Sequence, residues 1–190
     1  LSSFNIHFMN PGYFYAVSKP KPKNYTEDES TDNFAQKFSN QHRFSPKTVS
    51  VVVNPSNTDT IFTKFKGITV FLANSTKEKI AFMAQDSRID MKVQPKDFNG
   101  EWKDIEFLLD SDCGNSYHVL TLESKHYWQF LTPVYEGDFK TKLRIKMKYF
   151  EISNQSKENW KGKEITIYSN EYDGSINSGQ FWRITEISAF

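Results

Sequence analysis

The nine residues Thr141–Tyr149 read TKLRIKMKY, and from Lys142 onward they alternate between basic and apolar. Every second position is apolar, namely Leu143, Ile145, Met147 and Tyr149, and Lys or Arg stands at each position between them. Successive side chains of a β-strand point to opposite faces, whereas a helix would scatter both sets around its circumference. The stretch therefore predicts a strand with a buried apolar face and a solvent-facing basic face.

The same period of two recurs from residue 48 onward. Short runs rich in β-branched and aromatic residues are separated by Asn, Pro, Ser and Gly, and no amphipathic helical pattern intervenes. Outside Thr141–Tyr149, the predicted inward-facing side chains are Leu120, Leu122, Trp128 and Phe130. We predict an all-β fold in which about 8–9 strands pack as an antiparallel β-sandwich. A closed barrel is the alternative.

Residues 1–46 lack this pattern. Pro11-Gly12 interrupts an aromatic stretch, and residues 19–32 (KPKPKNYTEDESTD) combine prolines with dense mixed charge, which is typical of a loop or linker. Residues 31–38 (TDNFAQKF) are expected to form one or two helical turns. We predict an irregular N-terminal extension over residues 1–46 and a β-sandwich domain over residues 47–190.

Composition excludes several classes of partner. The 190 residues are 16% aromatic, which suits a sizeable β-sheet core, and the formal net charge is only +1. No global positive field is therefore available to attract nucleic acid, and we predict no nucleic-acid partner. No apolar run approaches the ~20 residues that cross a bilayer, so we predict no transmembrane span. The single cysteine cannot form an internal disulfide.

From residue 68 to residue 149 the order of features resembles an immunoglobulin-like bacterial sandwich. The segments CGNSYH (113–118), HYWQF (126–130), YEGDFKTKLR (135–144) and YSNEYDGSI (168–176) together are similar to uncharacterised exported proteins of Bacteroidetes-type bacteria. The resemblance implies an Ig-like β-sandwich and an exported protein, periplasmic or at the cell surface. The chain begins at Leu1 rather than Met, which leads us to expect an upstream signal peptide, a lipoprotein leader with a lipid anchor, or a cloning boundary.

The only cysteine lies in the stretch DSDCGNSYH (110–118). A catalytic thiol needs an electropositive setting, but Asp110 and Asp112 flank Cys113, and negative neighbours raise a thiol pKa. Gly114-Asn115 is a turn pair between two predicted strands, and the second Cys or His pair of a zinc spacing is missing. The stretch predicts a turn rather than a nucleophile or a metal site.

Two weaker patterns remain open as metal sites. His118 and His126 lie in neighbouring predicted strands and could meet across a hairpin, which leaves a metal-dependent hydrolase as one alternative function. Calcium could be bound by two acidic loops, residues 110–112 and 170–174, although neither completes the twelve-residue calcium-loop pattern. We predict no cofactor, with calcium as the alternative.

The basic face of the central strand forms a candidate binding stripe. Lys142, Arg144 and Lys146 would stand about 7 Å apart and could contact an anionic polysaccharide or lipid headgroups. The same pattern is typical of a solvated sheet face whose charge is balanced by cross-strand acids such as Asp104 and Glu106. In the run DIEFLL (104–109), alternation places Glu106 on that solvent face.

Aromatic side chains give a second candidate surface. Trp102 and Trp160 lie in polar, Lys-rich segments and, with Tyr127, could stack against sugar rings. No phosphate loop, serine-hydrolase elbow or HExxH motif accompanies them. We predict a non-enzymatic binding or scaffolding module of the bacterial cell envelope, with a protein or polysaccharide ligand. A carbohydrate-binding module is the alternative closest to this prediction.

Overall fold

A computed structural model of the chain describes residues 1–18, 21, 33–40, 43–109, 111, 113–151 and 163–183. Most of the predicted linker and Trp160 lie outside these residues. In the described residues the fold is all-β, and its helical content is two short 3-10 helices, Gly114–Ser116 and Ser178–Phe181. The predicted fold class is confirmed.

The described residues contain thirteen strands. They are Asn10–Pro11 (β1), Gln36–Lys37 (β2), Val49–Ile61 (β3), Phe65–Asn74 (β4), Ile80–Gln85 (β5), Arg88–Ile89 (β6), Met91–Pro95 (β7), Glu106–Phe107 (β8), Tyr117–Leu122 (β9), His126–Pro133 (β10), Phe139–Glu151 (β11), Lys163–Tyr168 (β12) and Tyr172–Ile176 (β13).

The strands form open sheets that are almost entirely antiparallel. One sheet has the order β2-β10-β4-β3. Another is built on β11, which pairs with β13 and β12 in succession along one edge and with β7 along the other. A third has the order β6-β5-β9, and β1 pairs with β8 in parallel. A single apolar core joins the two long sheets and the β5 sheet, as expected for a sandwich.

The core confirms the inward faces that alternation predicts. The side chains of Leu143, Ile145 and Met147 are each at most 2% exposed, and Tyr149 is buried as well. Leu120, Leu122, Trp128 and Phe130 are also buried. A strand covered on one face by a facing layer has to place its apolar residues on that face, and this is why the period of two was decisive here.

The strand number and the short helix were predicted wrongly. The structure has 13 strands rather than 8–9, and four of them (β1, β2, β6 and β8) are only two residues long. A two-residue pairing carries no periodicity, so it is set by its tertiary partner rather than by local sequence. Gln36–Lys37, expected in a helical turn, instead pairs with Tyr127 and His126 of β10.

The N-terminal segment takes part in the core. Phe14 and Ala16 are fully buried, and the ring of Phe14 meets that of Phe130 edge-on at 5.6 Å. Backbone hydrogen bonds also hold the segment, from Asn10 N–H to the Ile105 carbonyl and from Ala16 N–H to the Ser87 carbonyl. Residues 1–18 therefore form one side of the space beside β10.

Candidate functional site

A cleft of about 1030 Å³ runs along the outer edge of β10. Most of its lining comes from three stretches that are distant in sequence: residues 10–13 with Tyr15, residues 59–63 at the β3–β4 turn, and residues 129–131 of β10. Lys21, Asn33, Arg88 and Leu109 complete the lining. Apolar and polar side chains are mixed, as is common in ligand sites. We call this space the edge cleft.

The edge of β10 is open because its neighbour on that side is short. β10 pairs with β4 over its whole length, but with β2 only at His126 and Tyr127. The Phe38 N–H donates to the Lys125 carbonyl, so odd-numbered residues of β10 direct their backbone groups toward β2. By the same alternation, the N–H and C=O of Gln129 and Leu131 point into the edge cleft.

A buried amide beside the edge cleft lacks an acceptor. The side chain of Asn10 is only 8% exposed, and its Nδ2 has no hydrogen-bond partner among the residues that the structure describes. Leaving such a donor unpaired costs about 1–3 kcal/mol, and buried polar groups in folded proteins are normally satisfied. Asn10 lines the edge cleft, so a ligand there could supply the missing acceptor.

Aromatic rings on the cleft wall already contact other side chains. The rings of Tyr13 and Phe62 meet at 5.3 Å with an interplanar angle of 89°. The guanidinium of Arg88 lies 5.7 Å from the centroid of Tyr15 and also donates to the Asp86 carboxylate at 3.0 Å. The wall is therefore held in place by contacts that do not need a ligand.

Beneath Tyr13 lies a buried carboxyl group. Glu106 is 1% exposed, and its Oε1 accepts from the hydroxyls of Tyr13 at 2.5 Å and Tyr135 at 2.6 Å. Its Oε2 accepts from the Val93 N–H at 2.9 Å. The Tyr13 hydroxyl also lies 2.8 Å from Thr132 Oγ1. This network joins the N-terminal segment to three strands of the sandwich.

Burial sets the protonation of this network. Removal from water raises the pKa of Glu106 to about 7, and the three hydrogen bonds that it accepts oppose that rise. Burial and the nearby Glu106 carboxyl raise the pKa of Tyr13 and of Tyr135 well above 10.0. The nearby Asp104 carboxylate raises the pKa of Glu106 further. The Glu106 carboxyl is thus poised to titrate near neutral pH.

The alternation prediction for Glu106 was wrong. Alternation placed it on the solvent face, yet Glu106 is buried, and so is its neighbour Ile105. A carboxylate looks like a surface residue unless its hydrogen-bond donors are known, and Tyr13 and Tyr135 are far from it in sequence. The dense Tyr content was the one signal available.

The predicted basic stripe is paired with acids. Lys142 contacts Asp173 at 2.7 Å, and Lys146 contacts Asp104 at 2.7 Å. Arg144 donates to Gln94 and lies over the Trp102 ring at 4.1 Å from the centroid. The stripe is therefore a sheet face whose charge is largely balanced locally.

The structure does not assemble the predicted sugar-binding aromatic surface of Trp102, Trp160 and Tyr127. Cations of Lys96 and Arg144 both lie over the ring of Trp102, at 4.9 and 4.1 Å from its centroid. Tyr127 is 4% exposed and its hydroxyl donates to Gln36. Trp160 lies outside the described residues. Trp102 lies against Arg144 of β11 and bridges to Lys96, whereas Tyr127 lies in β10, which belongs to another sheet, so the structure does not bring them together.

The turn predicted around Cys113 is present. Cys113 is exposed and precedes the 3-10 helix Gly114–Ser116, whose Ser116 N–H donates to the Cys113 carbonyl. Asp110 and Asp112, which complete one predicted calcium loop, lie outside the described residues. In the other loop, Asn170 exchanges hydrogen bonds with the Val53 backbone, and Asp173 pairs with Lys142.

The two histidines do not meet across a hairpin, because their strands do not pair with each other. His118 lies in β9, which pairs with β5, and His126 lies in β10, which pairs with β4 and β2. His118 Nε2 is 3.4 Å from Ser87 Oγ, and His126 Nδ1 is 2.9 Å from the Ser124 carbonyl. Across the described ranges, no group of three His, Cys, Asp or Glu side chains is placed to hold a metal ion.

Comparison of the sequence with models of known protein families and with curated proteins finds no match. Among the described residues, no helix is long and apolar enough to cross a membrane.

Proposed function

We propose that this protein is a non-catalytic binding module that holds its ligand in the edge cleft. The observation that carries the proposal is the open edge of β10, where the backbone groups of Gln129 and Leu131 face a cleft of about 1030 Å³. The unpaired buried amide of Asn10 supports it, because a ligand acceptor would remove that cost. The sequence resemblance to exported bacterial proteins supports a location in the cell envelope.

The two alternatives have less support. A sugar platform on Trp102 would have to displace the cations of Lys96 and Arg144 from its ring. A metal-dependent hydrolase around His118 and His126 would have to join side chains of two different sheets. The edge cleft needs no such rearrangement.

The proposal is tested by blocking the edge cleft. Thr60 is exposed and lines the cleft, whereas Thr58 is exposed on the same strand face and does not line it. Pools of peptides and of oligosaccharides are titrated into the 15N-labelled protein. We expect one of the two pools to change the chemical shifts of the Asn10 and Gln129 amides. Binding should be at least tenfold weaker in Thr60→Trp and unchanged in Thr58→Trp. If Thr60→Trp binds as tightly as the wild type, the proposal is overturned.

A further inference from the structure

We propose that the ligand of the edge cleft is an extended segment of another polypeptide, which adds to the sheet as a strand beside β10. This inference rests on the proposed function and specifies the chemistry of the ligand. Gln129 and Leu131 each present one N–H and one C=O on the side away from β4. Four backbone groups at strand spacing are the pattern that another strand recognises.

The open part of the edge has the length of a short strand. At one end β2 stops opposite Tyr127, and at the other end the Phe4 N–H donates to the Val134 carbonyl. The six residues 128–133 between these points span about 20 Å at roughly 3.3 Å per residue. An added strand of about five residues would fill this gap.

One of the β10 residues whose backbone groups point away from β4 is a proline and has no N–H. Pro133, which has no N–H, occupies the same parity as Gln129 and Leu131. Proline in a strand is confined to positions whose N–H would point away from a neighbour. Its presence here agrees with an outer edge that the described part of the chain does not pair.

Side chains beside the edge would select apolar residues in the added strand. The side chains of Ile61 and Leu131 close over Gly67, because a Cβ there would lie 3.2 Å from Ile61 Cβ and 3.3 Å from Leu131 Cβ. Both side chains line the edge cleft together with Phe62, which is 39% exposed. Alternate side chains of an added strand would therefore meet an apolar surface.

A peptide fits the edge cleft better than an oligosaccharide does. Sugars stack on open aromatic faces, but the rings of Tyr13 and Phe62 are packed edge-to-face, and Arg88 lies over Tyr15. The unused groups are backbone donors and acceptors, which a peptide strand matches in spacing and number.

The first experiment examines the edge without any ligand. Amide hydrogen exchange is measured residue by residue in the free protein. We expect the Gln129 and Leu131 amides to exchange at least tenfold faster than those of Trp128 and Phe130, which point toward β4. Equal protection of all four amides would show that the edge is already paired and would overturn the inference.

The second experiment selects a ligand. A phage-displayed library of random dodecapeptides is panned on the protein, with Thr60→Trp as the counter-selection. We expect enriched peptides with alternating apolar residues, and slowed exchange at Gln129 and Leu131 when they bind. Gln129→Pro should weaken binding at least tenfold, because it removes one edge donor, whereas Thr58→Trp, at an exposed residue that does not line the cleft, should change binding less than twofold.

A peptide-side control covers the case in which Gln129→Pro does not fold. N-methylation of the peptide residues that pair with β10 should weaken binding at least tenfold, and methylation of the alternate residues should not. If N-methylation at neither set of peptide positions weakens binding, the peptide does not pair as a strand and the inference is overturned.

The remaining outcomes separate the inference from the proposed function. An oligosaccharide that binds in the edge cleft, with no enriched peptide, would overturn the inference and leave the proposed function standing. A self-associated dimer that Gln129→Pro dissociates, detected by sedimentation, would replace the foreign polypeptide with a second copy of this chain and overturn the inference. No ligand of either class would overturn both proposals.

Discussion

Glu106 shows how one residue couples burial, hydrogen bonding and pH. Its pKa of about 7 lies above the 4.5 of an ordinary glutamate because the folded protein removes it from water. The hydroxyls of Tyr13 and Tyr135 and the Val93 N–H compensate only part of that cost. Glu106 therefore holds the N-terminal segment to the sandwich, but its raised pKa makes the free energy of unfolding fall as the pH rises toward neutral.

The first prediction is a pH dependence of stability that Glu106→Gln removes. Between pH 4.5 and 7 the folded state keeps a proton that the unfolded state has lost, so the free energy of unfolding falls as the pH rises. At 1.36 kcal/mol per pH unit the fall is about 3 kcal/mol. Urea unfolding at a series of pH values should show it in the wild type and in the exposed control Glu101→Gln, but not in Glu106→Gln.

Glu106→Ala separates the charge from the hydrogen bonds. It leaves two tyrosine hydroxyls and the Val93 N–H without their acceptor, which should cost on the order of 3 kcal/mol at pH 5. A wild-type stability that is flat between pH 4.5 and 7 would contradict the assignment of the pKa shift to Glu106.

The second prediction concerns Trp102. Its ring is covered by the cations of Lys96 and Arg144, so it acts as a packing residue of the β11 face. Trp102→Ala should lower the free energy of unfolding by about 1–2 kcal/mol, measured by urea unfolding, because two cation–π contacts and partly buried area are lost. Phe98→Ala, at a 68% exposed aromatic of the same segment, is the control and should cost less. Equal costs would contradict the packing role.

At the scale of elements, predictability follows the length of the alternating run. The nine residues Thr141–Tyr149 fix one face of β11 against the core, so their orientation was predicted correctly. β8 is only Glu106–Phe107, and its parallel pairing with β1 could not be read from either segment. The edge cleft was missed for the same reason, since β2 and residues 10–15 are placed by distant partners.

The third prediction concerns the N-terminal segment. Phe14 is fully buried against Phe130, whereas Phe8 in the same segment is 41% exposed. Phe14→Ala should therefore cost about 3–5 kcal/mol, as for an aromatic residue of a core strand, and Phe8→Ala less than about 1 kcal/mol. Thermal and urea unfolding of the two variants measure the difference. Similar small costs would mean that the segment is dispensable for the sandwich.

At the scale of the whole molecule, charge is balanced where the sequence looks most basic. The chain carries a formal net charge of +1, and its basic β11 face is matched by three acids. These acids are Asp104, Glu164 and Asp173, which contact Lys146, Lys148 and Lys142 at 2.7, 2.9 and 2.7 Å. Sheet pairing places Glu164 and Asp173 there, because β12 and β13 lie directly beside β11.

The fourth prediction is that the basic face does not retain the protein on a polyanion. On a heparin column the wild type should elute at or below about 0.15 M salt, because exposed and paired lysines attract weakly at that ionic strength. The triple variant Asp104→Asn, Glu164→Gln, Asp173→Asn keeps the side-chain shapes similar and removes three negative charges. The lysines of β11 then lose their ion-pair partners, so the variant should elute at higher salt than the wild type. A matched triple of acids away from β11, Glu78→Gln, Glu123→Gln and Glu136→Gln, makes the same change in net charge and should move elution less. Strong retention of the wild type, or equal shifts in the two triples, would show that the β11 face is a polyanion site after all.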